Sequence, residues 1–232
     1  MSYVDDIQKV GHLTINEIIK ISNLYVPDIF KPCPWKYIDS QGRTLNHGTA
    51  VLETEELCSA YMSAYGPMHY HKLMRALDEN EFPYSDLTGG IEIYDWGCGQ
   101  GIGTMAVIEK FRQHGMLDKL RKVVLEEPSD VARDRAVIHV KKALEDYNAD
   151  VIAVSKYLPS DNGDNSNCIT SINVEQPTAI HIFSNILDIE TVSLKGVSKM
   201  ITSSGQKHIV LCIGPANRNE RRLLYFRNYF VE

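Results

Sequence analysis

The chain has 232 residues, of which 44% are hydrophobic and 23% charged, and its formal net charge is −6. This length supports one substantial core, and the composition is that of an ordinary soluble globular protein. The negative charge excludes a general attraction to nucleic acid or to anionic membranes, and no apolar run approaches the length that spans a membrane.

The cysteines and the N-terminus define the expected setting of the protein. The five cysteines are scattered and form no C-x-x-C pair, so the sequence predicts neither a disulfide framework nor a zinc ribbon. The first residues lack the basic region and apolar stretch of a secretion signal. We therefore expect a reducing, cytoplasmic setting and no membrane partner.

Residues 1–88 predict a helical accessory segment with several breaks. Thr14 opens a capping-box pattern that starts one helix, and Thr54 is suited to start a second. The pair Gly66-Pro67 predicts an interruption, with a third helix beginning at the proline.

A short region between these helices predicts extended structure. Three prolines end the first helix and favour an extended passage: Pro27, Pro32 and Pro34. The segments Trp35–Ile38 and Arg43–Leu45 flank a turn-forming tetrapeptide and predict a small hairpin.

From residue 89 to 232 the pattern changes to alternating strands and helices. The predicted strands are Ile91–Trp96, Lys122–Glu126, Val151–Val154, Ala179–Phe183 and His208–Ile213. The predicted helices begin near Ile102, Ser129, Ser193 and Asn219. Such alternation indicates a Rossmann-like α/β domain, with a mostly parallel sheet and helices on both faces.

The most informative motif follows the first predicted strand. Asp95 comes near the end of this strand, and four glycines then alternate through the turn into a helix: Gly97, Gly99, Gly101 and Gly103. Glycine allows positive φ and lets a ligand approach the main chain without a Cβ in the way. A loop between strand and helix lies at the carboxyl edge of the sheet, where open α/β folds bind nucleotides. The motif therefore predicts an adenosine-containing cofactor.

This Asp-x-Gly-x-Gly-x-Gly order resembles the first motif of the class I S-adenosylmethionine-dependent methyltransferases. The end of the second strand, Val123–Ser129, is a second match, and the resemblance extends from about residue 91 to 215. In that family an acidic residue at this point binds both ribose hydroxyls through charge-assisted hydrogen bonds. Glu127 is the predicted residue, with Glu126 as the alternative.

The resemblance implies S-adenosyl-L-methionine as cofactor and methyl transfer as activity. It implies that Gly97, Gly99 and Gly101 lie against the methionine portion and that Asp95 acts near its amino group. The segment at the end of the fourth predicted strand adds Ser184 and Asn185 as cofactor contacts. Because the end of this strand normally faces the methyl group in the family, Asn185 and Asp188 become candidates on the substrate side.

Two features depart from that family. The Asn-Pro-Pro-Tyr signature of many amino-group methyltransferases is absent, because the chain has Asn185-Ile-Leu-Asp188. About twenty residues follow the fifth predicted strand, whereas family members usually have a further two-stranded hairpin. Either the sheet has five strands or the chain is a fragment of a longer protein, and the methyl acceptor is not predicted.

His69 and His71 are additional catalytic candidates, as bases for an acceptor that must lose a proton. They do not predict a metal site, because no third ligand is visible and alternate residues on a helix point in different directions. We expect the Tyr61–His71 region to fold over the cofactor and help to enclose the acceptor.

Other functions compete for the same residues. An inactive S-adenosylmethionine-binding module of a larger assembly would explain the missing acceptor signature. An NAD-dependent oxidoreductase is favoured less, because its G-x-G-x-x-A pattern fits only when counted from Gly101, which leaves Asp95 unexplained. A structural turn without ligand and a basic patch for nucleic acid are also disfavoured, and the oligomeric state is not predicted.

Overall fold

A computed structural model of the chain describes residues 2–40, 51–78, 81–160, 177–203, 207–214 and 220–230. Within these residues, five parallel strands form one sheet in the order β3-β2-β1-β4-β5. The strands are β1 (Ile91–Trp96), β2 (Leu120–Glu126), β3 (Asp150–Val154), β4 (Thr178–Ser184) and β5 (His208–Ile213). All five predicted strands are confirmed, and the predicted bounds of β1 and β5 match.

Helices connect the strands as the pattern predicted. The later helices are α5 (Ile102–Gln113), α6 (Asp130–Ala143), α7 (Leu194–Thr202) and α8 (Glu220–Arg227). Ser129 and Ser193 cap α6 and α7, because each side chain accepts a hydrogen bond from a backbone N–H of the first turn. Asn219, the predicted start of the last helix, lies outside the described residues. The Rossmann-like α/β fold is confirmed.

The strand order creates a crevice at the centre of the sheet. The chain moves outward from β1 to β2 and β3, and β4 then pairs with the other side of β1. In open α/β sheets, ligands bind outside the carboxyl ends of the strands at such a reversal. Both the glycine loop after β1 and the predicted contacts after β4 lie at this point.

Each face of the sheet packs against a different set of helices. Ile93 on β1 belongs to the apolar cluster that contains residues of α5 and α6. Tyr94 and Trp96 point to the other face, where they pack with residues of α7 and with Phe226 of α8. This alternation along β1 follows from the two-residue period of a strand.

Four helices precede the sheet: α1 (Tyr3–Gln8), α2 (Ile15–Leu24), α3 (Pro34–Ser40) and α4 (Glu55–Ala76). The predicted caps are confirmed, because Thr14 and Thr54 each accept a hydrogen bond from the backbone N–H three residues later, both at 3.2 Å. Residues of α1, α2 and α4 belong to the same apolar cluster as Ile93. None of the described helices is both long and apolar enough to cross a membrane.

The interruption predicted at Gly66-Pro67 is wrong. Helix α4 continues through both residues for 22 residues in all. A Cβ on Gly66 would lie 3.0 Å from Sδ of Met62 and 3.2 Å from Cγ1 of Ile19, so the glycine allows close packing against α2. Pro67 is exposed and removes one helical hydrogen bond, and this packing keeps the helix intact despite the loss.

The extended passage and the first strand of the predicted hairpin are also wrong. Asp28–Phe30 forms a 3-10 turn and residues 34–40 form α3. Pro34 occupies the first position of α3, where proline has a suitable φ and its missing N–H is not needed. Ile38 is buried between α3 and α4 and stabilises the helix by packing. The second predicted strand, at Arg43–Leu45, lies outside the described residues.

Candidate functional site

The glycine loop joins β1 to α5 through three residues with positive φ. The φ angles are 65° at Gly97, 53° at Gly99 and 81° at Gly101. The N–H of Gly101 donates to the carbonyl oxygen of Cys98 at 2.8 Å, which closes the turn. These left-handed conformations are the reason that glycine is required at these positions.

The loop glycines have different surroundings. A Cβ on Gly97 would lie 2.9 Å from the side chain of Ile186, and one on Gly101 would lie 3.1 Å from Cβ of Ala136. A Cβ on Gly103 would lie 2.8 Å from Ile182. At Gly99, in contrast, there is no atom within 4 Å of the Cβ position. The backbone of Gly99 therefore has open space beside it, which a ligand could use.

Asp95 lies beneath this loop with only 1% of its surface exposed. Its Oδ2 accepts hydrogen bonds from the backbone N–H of Thr104 at 3.0 Å and from the Thr104 hydroxyl at 2.8 Å. Burial raises the pKa of Asp95 to about 6, although both hydrogen bonds oppose the shift. The carboxylate thus satisfies a free N–H in the first turn of α5 and fixes the loop to the helix. Its predicted contact with a cofactor amino group stays a prediction.

Glu127 lies directly beside the open face of the loop. Its Oε2 accepts a hydrogen bond from the N–H of Gly99 and its Oε1 accepts one from the N–H of Ser129, both at 2.9 Å. Burial raises the pKa of Glu127, and the two backbone hydrogen bonds and the charge of Arg133 oppose this. A carboxylate has about four acceptor positions, so two remain for other donors.

Glu126 points to the opposite face of the sheet. It pairs in register with Trp96 and is 5% exposed. Its Oε1 is buried and has no hydrogen-bond partner among the described residues. Burial raises the pKa of Glu126 to about 7, and the charge of Lys156 only partly offsets this. Of the two predicted ribose ligands, Glu127 is the one whose carboxylate contacts the glycine loop, whereas Glu126 contacts the loop only through its carbonyl oxygen, which accepts from the N–H of Cys98.

The end of β4 lies across the crevice from the glycine loop. Asn185 has a φ of 56°, the only positive value at a non-glycine position among the described residues. Its N–H donates to the carbonyl oxygen of Ile213 at 2.7 Å, and its Nδ2 donates to Oγ of Ser184 at 3.3 Å. Such backbone strain concentrates at functional sites. The two predicted contact residues are therefore held together beside the crevice.

Two further residues concern the substrate side: Asp188, which follows β4, and Tyr61 of α4. Oδ1 of Asp188 is buried and has no hydrogen-bond partner among the described residues. Burial raises the pKa of Tyr61 to about 12, and the phenol of Tyr65 and the carboxylates of Glu127 and Asp188 add to the shift. Tyr61 of α4 is therefore close enough to both carboxylates for their charges to act on its hydroxyl.

The two histidines of α4 point in different directions. The His69 ring makes an edge contact with the Tyr61 ring, and the two ring centroids are 6.0 Å apart. Burial, together with the charge of Lys72, lowers the pKa of His69 to about 4. His71 is exposed. Among the described residues, no group of three or more His, Cys, Asp or Glu side chains could hold a metal. His69 therefore lies beside Tyr61, whereas His71 is exposed, and the predicted roles of both as bases stay predictions.

Several contacts of the loop were not predicted from the sequence. Nε2 of Gln100 donates to the carbonyl oxygen of Cys58 on α4 at 2.9 Å, and the Ser129 hydroxyl donates to the carbonyl oxygen of Leu52. The N-terminal segment therefore contacts both the glycine loop and the turn after β2. One sequence signal was available, because Arg135 stands among the small apolar residues of α6 that face the core.

Comparisons with known proteins give structural neighbours only. The sequence matches no protein-family model and no curated protein. One similar structure is a SAM-dependent methyltransferase of Leishmania major, with 12% identity, coverage of 93% of this chain and 80% of the other, and a TM-score of 0.36. Another is the plantazolicin methyltransferase BpumL in complex with a pentazolic desmethylPZN analog and SAH, with 10% identity, coverage of 93% and 70%, and a TM-score of 0.31.

Proposed function

We propose that this protein is an S-adenosylmethionine-dependent methyltransferase. The observation that carries the proposal is the pairing of an open main-chain position, Gly99, with the carboxylate of Glu127 at the strand reversal. The glycine leaves room for a ligand against the backbone, and the carboxylate can accept hydrogen bonds from a sugar. This is the arrangement that the Asp-x-Gly-x-Gly-x-Gly motif led us to expect.

The chemistry of Glu127 fits a ribose. Two of its acceptor positions are used by Gly99 and Ser129, and the remaining two match the two hydroxyls of a ribose. The N–H groups of Gly99 and Ser129 already hold the carboxylate in place, so it can receive the ribose hydroxyls without rearrangement. In this proposal Glu127 binds the ribose and Gly99 contacts the methionine portion. Gly97 and Gly101 allow the loop to pack closely against Ile186 and Ala136.

The acceptor side lies between α4 and the end of β4. The unpartnered Oδ1 of Asp188 is suited to accept a hydrogen bond from the group that is methylated, or to take its proton. S-adenosylmethionine supplies a sulfonium methyl with a good leaving group, so alignment and exclusion of water account for most of the catalysis. In this proposal Tyr61 and His69 exclude water from this side, which is the role expected of the Tyr61–His71 region.

The proposal is tested by calorimetric titration of the chain with S-adenosylmethionine, S-adenosylhomocysteine and NAD. We expect binding of the first two and none of NAD. Binding of NAD alone would replace the proposal with a dinucleotide oxidoreductase. Binding of S-adenosylmethionine without turnover over a broad acceptor panel would favour a module that only binds the cofactor.

Neighbouring variants test the role of Glu127. Glu127→Gln removes charge-assisted hydrogen bonds of about 1.5–3 kcal/mol, so the affinity for S-adenosylhomocysteine should fall by about tenfold to a hundredfold. Glu126→Gln is the matched control, because its side chain points to the other face of the sheet, and its affinity should stay within about twofold of the wild type. If Glu126→Gln weakened binding and Glu127→Gln did not, the ribose would bind at Glu126 instead.

A further inference from the structure

Two buried residues of α6, Arg135 and His139, hold the glycine loop through Gln100. They are 1% and 0% exposed, and both contact Gln100, which lies between Gly99 and Gly101. Their spacing of four residues places them on the same side of the helix. Neither residue belongs to the cofactor motif.

Arg135 joins the loop to the first turn of α4. Its Nε donates to Oε2 of Glu55 at 2.6 Å, and its Nη2 donates to the Glu55 carbonyl oxygen and to Oγ of Ser59, both at 2.9 Å. Its Nη1 donates to Oε1 of Gln100 at 3.2 Å, and the guanidinium lies 3.8 Å from the centre of the Tyr3 ring. The rigid fork of an arginine is suited to hold several acceptors at once.

His139 joins the loop to α1 and α2. One of its ring nitrogens, Nδ1, lies 2.9 Å from the carbonyl oxygen of Gln100. A carbonyl can only accept, so Nδ1 carries the proton and donates. Burial lowers the pKa of His139 to about 4, so at neutral pH its Nε2 is an acceptor for the Tyr3 hydroxyl at 2.8 Å. The Tyr3 oxygen then accepts from the hydroxyl of Ser22 at 3.2 Å.

The consequence is that Gln100 is held by three of its polar groups. Its carbonyl oxygen is bound by His139, its Oε1 by Arg135, and its Nε2 by the carbonyl oxygen of Cys58. The residues on either side are glycines, which allow many backbone conformations. Without these contacts the peptide units beside Gln100 could turn, and the direction of the Gly99 backbone would change with them.

We propose that Arg135 and His139 are positioning residues, which lock Gln100 and so keep the glycine loop in a binding-ready conformation before the cofactor arrives. They act through Gln100 and do not touch the cofactor. The N-terminal helices take part directly, because Tyr3, Glu55 and Ser59 complete the contacts. The effect on cofactor affinity rests on the proposed function, whereas the effect on loop order does not.

The experiment uses the full chain and compares Arg135→Met, His139→Phe and the milder Tyr3→Phe with a matched control. Val140→Ala is the control, because Val140 lies on α6, is fully buried and makes no side-chain hydrogen bond to the loop. Each variant is measured for melting temperature, for S-adenosylhomocysteine affinity by calorimetry, and for hydrogen exchange of the loop amides.

The exchange measurement reads the loop directly. The N–H of Gly99 is bound to Glu127 and the N–H of Gly101 to Cys98, so both are protected while the loop is ordered. We expect Arg135→Met and His139→Phe to speed exchange of these two amides at least tenfold and to weaken binding about tenfold. Tyr3→Phe should have a smaller effect of the same kind. Val140→Ala should lower the melting temperature without faster exchange of these amides and without weaker binding.

A double variant separates positioning from general destabilisation. Gln100→Ala removes the acceptor of Arg135, so the combination with Arg135→Met should weaken binding no more than the stronger single variant. Additive losses, or loop exchange and affinity equal to those of Val140→Ala, would overturn the inference. If the wild type does not bind S-adenosylhomocysteine, the proposed function fails, and the exchange rates of Tyr3→Phe and His139→Phe still decide whether the loop is locked.

Discussion

Replacing single loop glycines with alanine should separate ligand contact from folding. Gly97 and Gly99 both have positive φ, so alanine costs about 1–2 kcal/mol at either position. Restriction of the unfolded chain returns about 0.4–1 kcal/mol. At Gly99 the new methyl group meets no protein atom, so Gly99→Ala should lower the free energy of unfolding by about 1 kcal/mol.

At Gly97 the same change has an additional steric cost. The new Cβ would lie 2.9 Å from both Cγ1 and Cδ1 of Ile186, and overpacking of this kind costs about 1–3 kcal/mol. Gly97→Ala should therefore lower the free energy of unfolding by about 2–4 kcal/mol in total. The two variants thus differ in stability although both have the same backbone requirement.

Ligand binding should show the opposite order. The methyl group in Gly99→Ala occupies the space that we assign to the cofactor, so the affinity for S-adenosylhomocysteine should fall at least tenfold, or about 1.4 kcal/mol. Urea denaturation measures stability, and calorimetry measures affinity below the unfolding transition. Wild-type affinity in Gly99→Ala would show that no ligand occupies the space beside Gly99, and a Gly97→Ala variant more stable than Gly99→Ala would show that Ile186 does not restrict Gly97.

Two further predictions concern stability. Glu126 has a folded pKa of about 7 against an ordinary value of 4.5, so the folded state binds more protons between these values, and the free energy of unfolding should fall as pH rises from 4.5 to 7. The difference of about 2.5 pH units corresponds to at most about 3 kcal/mol. Glu126→Gln should remove this slope in urea denaturation at pH 5–8, whereas the exposed Glu190→Gln should not. Pro67→Ala should raise the free energy of unfolding by about 2 kcal/mol, because it restores a helical hydrogen bond in α4. An unchanged midpoint of urea denaturation would mean that the helix is already broken at this position.

The strands and the glycine loop could be predicted because their signals are local. All six residues of β1 are buried, four of them are apolar or aromatic, and a glycine pattern follows the strand, so these features are visible within a dozen positions. Helix α4 could not be predicted as one helix because its continuity depends on packing against α2. The close contact of Gly66 with Ile19 joins residues that are 47 positions apart, and local propensity predicts a break there.

The sequence left Glu126 and Glu127 as alternatives, since they are adjacent acids at the end of one strand. Successive residues of a strand point to opposite faces, so a shift of one residue changes every neighbour. The register of β2 against β1 places Glu126 opposite Trp96, on the face of α7 and α8. Glu127 then lies on the loop side, where it contacts Gly99. Pairing between strands, which the sequence does not specify residue by residue, makes this distinction.

The residues that hold the glycine loop through Gln100 were missed because they too are far apart in the sequence. Gln100 contacts Arg135 and His139, 35 and 39 positions away, and His139 contacts Tyr3 across 136 positions. No periodicity or spacing rule connects such residues. A glycine-rich loop has many conformations of similar energy, so a defined binding shape requires contacts from outside the motif. In this protein α6 and the N-terminal helices supply them together, and this explains why a segment without motif residues is packed against the glycine loop.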